Sequence, residues 1–152
     1  MGFLCRKVGW RTDLSACLAA VLNALPLREG LRVLEIGCGP GALARAIAMR
    51  IGDGHVLAID RSAKAIEQAK SASQAELSSG RLTLRQAAIE DFELHAHEAP
   101  YDIAVAIRVG ALDGRHPELE RRALRRVADA LTSRGQLYID SGNPLREVRL
   151  RD

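Results

Sequence analysis

Two carboxylates stand where they could do chemistry. Glu35 lies two residues before the glycine-rich run Gly37-Cys38-Gly39-Pro40-Gly41, and Asp60 closes the next apolar segment, eighteen residues beyond Ala42. Gly37, Gly39 and Gly41 admit the positive φ of a tight strand-to-helix turn and let backbone amides approach a ligand without an intervening Cβ. Pro40 falls near the first helical turn, where its missing N–H costs little. Such a loop at the start of a helix cradles nucleotide-like ligands. An acid at the end of the following strand can accept hydrogen bonds from both hydroxyls of a ribose. Loop and acid together point to an adenosine-containing cofactor.

Glu35 separates two cofactors that this pattern admits. The spacing Gly37-x-Gly39-x-x-Ala42 satisfies the dinucleotide pattern G-x-G-x-x-G/A, which on its own allows an NAD-dependent oxidoreductase. A carboxylate beside a pyrophosphate repels it, whereas one beside an ammonium and a sulfonium attracts them. The charge at position 35 favours a cationic cofactor.

The run Val33-Leu34-Glu35-Ile36-Gly37-Cys38-Gly39-Pro40-Gly41 resembles the first motif of the class I S-adenosylmethionine-dependent methyltransferases. Ala58-Ile59-Asp60-Arg61-Ser62 is similar to their second, acidic motif, and Tyr101 to Ile107 to the fourth. The resemblance covers roughly residues 30 to 140. It implies that Glu35 and the loop Gly37, Cys38, Gly39 and Gly41 hold the methionine end of S-adenosylmethionine. By the same resemblance Asp60 holds the ribose, Arg61 flanks the adenine, and Ile107 ends a central strand facing the cofactor. Ala88 stands where the family usually places an acid for the adenine amino group, which leaves the backbone of Ala88 and Ile89 as the expected contacts. The Asn/Asp-Pro-Pro-aromatic signature of enzymes that methylate amide or nucleobase nitrogens is replaced by Ile107-Arg108-Val109-Gly110, so those acceptors are not expected.

The reaction expected from this resemblance is in-line methyl transfer to a small-molecule acceptor, in which alignment and desolvation can provide most of the rate gain. Asp113 and His116, just beyond the fourth strand, are candidate bases for an acceptor that arrives protonated. Two other readings are an S-adenosylmethionine-binding protein without turnover and the NAD-dependent oxidoreductase.

The elements that must position these residues alternate in type. Strands are expected at Arg32–Ile36, His55–Asp60, Arg81–Gln86, Tyr101–Ile107 and Gln136–Asp140. Helices are expected at Leu14–Leu25, Gly41–Ile51, Ala63–Leu77 and from Pro117, where Leu124, Val127, Ala128 and Leu131 form the apolar stripe. The alternation predicts an α/β, doubly wound, mostly parallel Rossmann-like sheet of about five strands with helices on both faces, without the family's usual C-terminal β-hairpin. One domain is expected over 1–152, with an N-terminal helix or lid at 1–29 that includes Trp10, a core at 30–141 and a tail at 142–152. The fifth strand would then present an open edge, which Arg146–Asp152 could cover or a homodimer could pair.

Composition bounds the rest. The chain has 152 residues, 47% of them hydrophobic, which suits a core of ordinary size. With 22 Lys and Arg against 19 Asp and Glu, the net charge of +3 is too slight for a dedicated nucleic-acid binder. The arginines at 115, 121, 122, 125 and 126 read as a solvated helix face, with Glu118 and Arg122 at ion-pair spacing. Cys5, Cys17 and Cys38 form no CxxC pair, so neither a disulfide framework nor a zinc site is expected, and a cytoplasmic setting fits. His95 and His97 have no third ligand nearby in sequence, so no metal is expected. The apolar stretch after Arg6, Lys7 and Arg11 reads as an amphipathic helix capped by Asp13 and closed by Pro26, too short to span a membrane.

Overall fold

Short runs of Val, Ile, Leu and Ala pair at the centre of one sheet because they are largely apolar on both faces and are satisfied by helices above and below. The computed structural model describes residues 14–151. In chain order the elements are α1 (Ala16–Ala24), β1 (Arg32–Ile36), α2 (Ala42–Ala48), β2 (His55–Asp60), α3 (Ala63–Ala72), α4 (Gln74–Ser78), β3 (Leu82–Gln86), β4 (Tyr101–Ala106), α5 (Pro117–Ala130), β5 (Leu131–Ile139) and β6 (Arg146–Val148). Single 3-10 turns at Ile89–Asp91 and Gly110–Leu112 precede and follow β4. The strand order is β3-β2-β1-β4-β5-β6. The pairs from β3 through β5 are parallel, and β6 runs antiparallel to β5. The chain winds outward from β1 to β3, then returns to lay β4 on the other side of β1. The gap between β1 and β4 is therefore the switch point beyond whose carboxyl end such sheets bind ligands.

Strand alternation splits the interior into two layers. Val33, Val56, Ala58, Ile103 and Val105 pack under α1, α2 and α3 with Leu43, Ile47 and Ile66. Leu34, Ile36, Leu57, Ile59 and Ala104 pack on the other face with Phe92, Ala123 and Val127. The period of two dictates that Glu35 shares the face of Val33 and points toward α2.

The sheet has six strands where about five were expected. The tail strand Arg146–Val148 lies on β5, so the open edge that motivated a homodimer is covered within the chain. β5 starts at Leu131, which pairs with Tyr101 before the register shifts and Ile103 meets Gln136. Of the expected stripe on α5, Val127 and Leu131 are buried and Leu124 is partly buried, while Ala123 and Ala130 rather than Ala128 complete the buried face. The helix expected over Ala63–Leu77 breaks at the fully buried Ser73. α1 is capped by Ser15, whose Oγ accepts the Leu18 N–H at 3.3 Å. The Asp13 cap and the Trp10 lid lie outside the described residues. Cys38 is a free thiol. Cys17 is disulfide-bonded, although no disulfide framework was expected, because an odd count without CxxC still permits one bridge. Among the described residues no helix is long and apolar enough to cross a membrane.

The entry to β2 is tight. A Cβ at Gly54 would lie 2.2 Å from the Leu31 carbonyl oxygen and 3.0 Å from that of Ile51, both backbone atoms that cannot rotate away. Gly54→Ala is expected to lower the unfolding free energy by about 1–3 kcal/mol, as overpacking does. Urea denaturation checks this, and an unchanged midpoint contradicts it.

Candidate functional site

The glycine run leaves β1 at the switch point and is held there by backbone bonds to β2. Gly37 and Cys38 both donate to the Ile59 carbonyl at 2.9 Å, and Gly41 donates to the Cys38 carbonyl at 3.0 Å. Gly37, Gly39 and Gly41 sit at φ 73°, 53° and 88°, a region that side chains disfavour. Gly37 and Gly41 are also pressed by neighbours. A Cβ on Gly37 would meet Val109 Cγ2 at 2.8 Å, and one on Gly41 would meet Ala69 Cβ at 3.3 Å. A Cβ on Gly39 would find nothing within 4 Å, so the Cα side of this glycine borders open space where a ligand can approach.

Asp60 fastens the loop as well as bordering it. Its Oδ2 accepts the Gly39 N–H and its Oδ1 the Ser62 N–H, each at 2.9 Å. A carboxylate offers about four acceptor sites, so two remain for other donors. The fastening role is one that sequence spacing does not reveal, because it connects residues 21 apart through a loop conformation.

Glu35 is the least expected feature of the interior. It is 2% exposed, its register neighbours are Ala58 and Val105, and neither carboxylate oxygen has a hydrogen-bond partner. Burial pushes its carboxyl up to about 8; the Arg45 guanidinium and the nearby Ala44 amide pull it down, while the charge of Asp60 pushes it further up. A buried, unpartnered carboxyl costs stability unless it serves something, and a cation placed against it would be strongly favoured. Cys38 shares this setting: burial, then the charges of Glu35 and Asp60, push its thiol up to about 12, which makes it a poor nucleophile.

Arg45 escaped the sequence reading. Its Nη1 donates to the Pro40 carbonyl at 2.8 Å and to Ser73 Oγ at 3.0 Å, tying the loop to the break between α3 and α4. Nothing local marks it, since Ser73 is 28 residues away in sequence.

The remaining expected contacts gather around the same strand ends. Ala87 donates to the Asp60 carbonyl at 3.0 Å, which sets Ala88 and the buried Ile89 beside the end of β2. Arg61 is exposed next to Asp60, and its carbonyl accepts from Gln86 Nε2 at 3.3 Å. Ile107 is half-buried, its carbonyl 3.7 Å from where a Gly37 Cβ would stand.

The two base candidates line different clefts. Asp113 is clasped by Arg115 through its N–H at 3.0 Å, Nε at 2.6 Å and Nη2 at 2.5 Å, and the side-chain hydrogen bond from Arg115 pushes its carboxyl down, weakening it as a base. His116 precedes α5 and faces a different cleft, with Glu118 and Arg122. Arg122 pairs with Asp91 rather than with Glu118, and Arg126 with Glu93 at 2.6 Å, so part of the arginine face clamps α5 to the turn before β4.

The raised carboxyl has a measurable consequence. Its folded value lies above the ordinary carboxylate range, so the folded chain holds a proton that the unfolded chain gives up. Stability from this group is fully present below pH 4.5 and is lost as pH rises through about 8. Glu35→Gln is expected to remove this loss and leave the ligand-free protein more stable than wild type at pH 8.5. Thermal unfolding of both across pH 5 to 9 tests it, and parallel profiles contradict it.

A family model described as a methyltransferase domain matches residues 27–150. The ribosomal protein L11 methyltransferase of Thermosipho melanesiensis is 44% identical over 52 residues, which are 34% of this chain and 20% of that protein. The S-adenosylmethionine-dependent methyltransferase of Mesorhizobium loti superposes with a TM-score of 0.65 at 26% identity, over 82% of this chain and 53% of that one. A further methyltransferase, from Thiobacillus denitrificans in complex with S-adenosylhomocysteine, superposes with a TM-score of 0.64 at 24% identity, over 81% of this chain and 46% of that one. This chain thus spans a fifth of the curated relative and about half of these solved structures. With most of its length matched by the family model and its carboxylates and glycines at the switch point of the sheet, the chain belongs to the methyltransferase domain family.

Proposed function

We propose that the chain binds S-adenosylmethionine at the glycine loop and transfers its methyl group to an acceptor. The observation that carries this is the buried carboxyl of Glu35, without a partner of its own, directly behind a loop whose open glycine is Gly39. A cation in direct contact is what its oxygens lack, since Arg45 acts on it without a hydrogen bond. When bound, S-adenosylmethionine supplies a sulfonium-activated methyl group and an ammonium. The chain's part is binding and alignment. Glu35 offers negative charge to the methionine end, and Gly37 to Gly41 approach it without side chains. The two unspent acceptor sites of Asp60 suit the ribose hydroxyls, and Arg61 with the turn at Ala88 and Ile89 borders the adenine. Ile107 and Val109 help exclude water on the β4 side, which strengthens every charge interaction inside.

Asp113 gives no support as a base while Arg115 holds it, so alignment is the proposed main source of rate. A small-molecule acceptor remains the first reading. A protein acceptor is the second, favoured by the likeness to an enzyme named for ribosomal protein L11. A cofactor-binding role without turnover is distinguished by methyl transfer to a panel of acceptors.

Calorimetry with S-adenosylhomocysteine tests the cofactor site. Binding is expected, with a loss of roughly tenfold or more in Asp60→Ala, the size of one or two charge-assisted hydrogen bonds. Equal affinity in that variant removes Asp60 from the ribose, and binding of NAD in preference removes the cofactor assignment.

A further inference from the structure

Arg108 follows the central strand at φ 55°, a left-handed conformation that strains a non-glycine residue. The strain is held in place: the Arg108 N–H donates to Asp140 Oδ2 at 3.0 Å, joining the ends of β4 and β5. Strained backbone persists where surrounding contacts over-determine it, and it clusters at sites of recognition. Here it borders a cleft of about 360 Å³ beyond the carboxyl ends of both strands, within the range that takes a small molecule. Val109 lines the same cleft, and its Cγ2 is the atom 2.8 Å from where a Gly37 Cβ would stand. The Val109 side chain therefore touches both the cleft and the start of the glycine loop.

The polar groups of this cleft are unevenly spent. Asp113 is clasped by Arg115, and Asp140 accepts the Arg108 amide through one oxygen. Ser141 Oγ accepts from Arg146 Nε at 3.0 Å, which leaves its own O–H to donate. The Arg108 guanidinium is exposed and, among the described residues, has no hydrogen-bond or ion-pair partner. Asp113 and Asp140 keep acceptor sites, but the charge of Asp113 is already paired with Arg115, whereas the Arg108 guanidinium is suited to bidentate capture of an oxyanion.

We infer that this cleft seats the methyl acceptor, and that the acceptor is a small molecule carrying a carboxylate or phosphate held by Arg108. The inference rests on the proposed cofactor reading for its role, but not for the binding itself. It is tested by titrating benzoate, phenyl phosphate and the neutral control benzamide into the protein, with and without saturating S-adenosylhomocysteine, and following binding by NMR shifts. At least one anion is expected to bind roughly tenfold or more tightly than benzamide, the size of one charge-assisted hydrogen bond. The preferred anion identifies the carboxylate or the phosphate as the recognised group. In Arg108→Gln that preference disappears while S-adenosylhomocysteine affinity stays within twofold. Arg108→Gly removes the guanidinium and relieves the left-handed strain, so it keeps the fold testable and is expected to lose the preference equally. Equal binding of all three probes, or an anion preference that survives both variants, overturns the assignment. If S-adenosylhomocysteine fails to bind while the Arg108-dependent preference stands, the cofactor reading fails and the anion site does not.

Discussion

An unpartnered carboxyl in the interior of a sheet is the constraint on which the site depends. Glu35 sits where a hydrophobic residue would pack between Ala58 and Val105, with both oxygens unsatisfied. The surrounding elements answer this. Arg45 brings a positive charge toward it from α2 while gripping the Pro40 carbonyl, and Asp60 fixes the loop through the Gly39 amide. Loop shape and local charge are therefore coupled, because the residues that hold the glycines in their left-handed turns also set the electrostatics behind them.

Much of this was legible in the chain because it is written locally. The acid-x-Gly-x-Gly-x-Gly spacing places a carboxylate inside the strand and glycines outside it, and an apolar run ending in Asp60 reads as the neighbouring strand. Parallel order followed from strands alternating with helices. What was not legible depends on contacts between distant segments. The break at Ser73 answers Arg45, and the start of β5 answers Tyr101 across a register shift. The tail was too short for periodicity to decide, yet it pairs once β5 offers an edge. On α5 the spacing picks out Val127 and Leu131 but not Ala123 and Ala130, because small alanines carry little hydrophobic signal even where the helix meets the sheet most closely. Nearness to β4 in sequence marks Asp113 and His116 but is blind to the clasp of Asp113 by Arg115.

The two sides of the switch point divide their work by chemistry. Toward β2, donors and acceptors belong mainly to the backbone and to Asp60, which suits a ligand read through hydroxyls and through close approach to glycines. Toward β5, a strained Arg108 and its tether Asp140 present a guanidinium beside an apolar wall of Val109 and Ile139. In the proposed reading the first half holds the donor and the second the acceptor, with Val109 between them.

The central claim is that negative charge at Glu35 recruits a cationic cofactor. The most direct measurement is the affinity of wild type and Glu35→Gln for S-adenosylmethionine between pH 6 and pH 9. A carboxyl that ionises near 8 must lose its proton to meet the cation, so wild-type affinity should rise with pH, by up to tenfold per unit below about 8, relative to a variant that lacks this rise. Identical pH dependence in the two proteins would contradict the account.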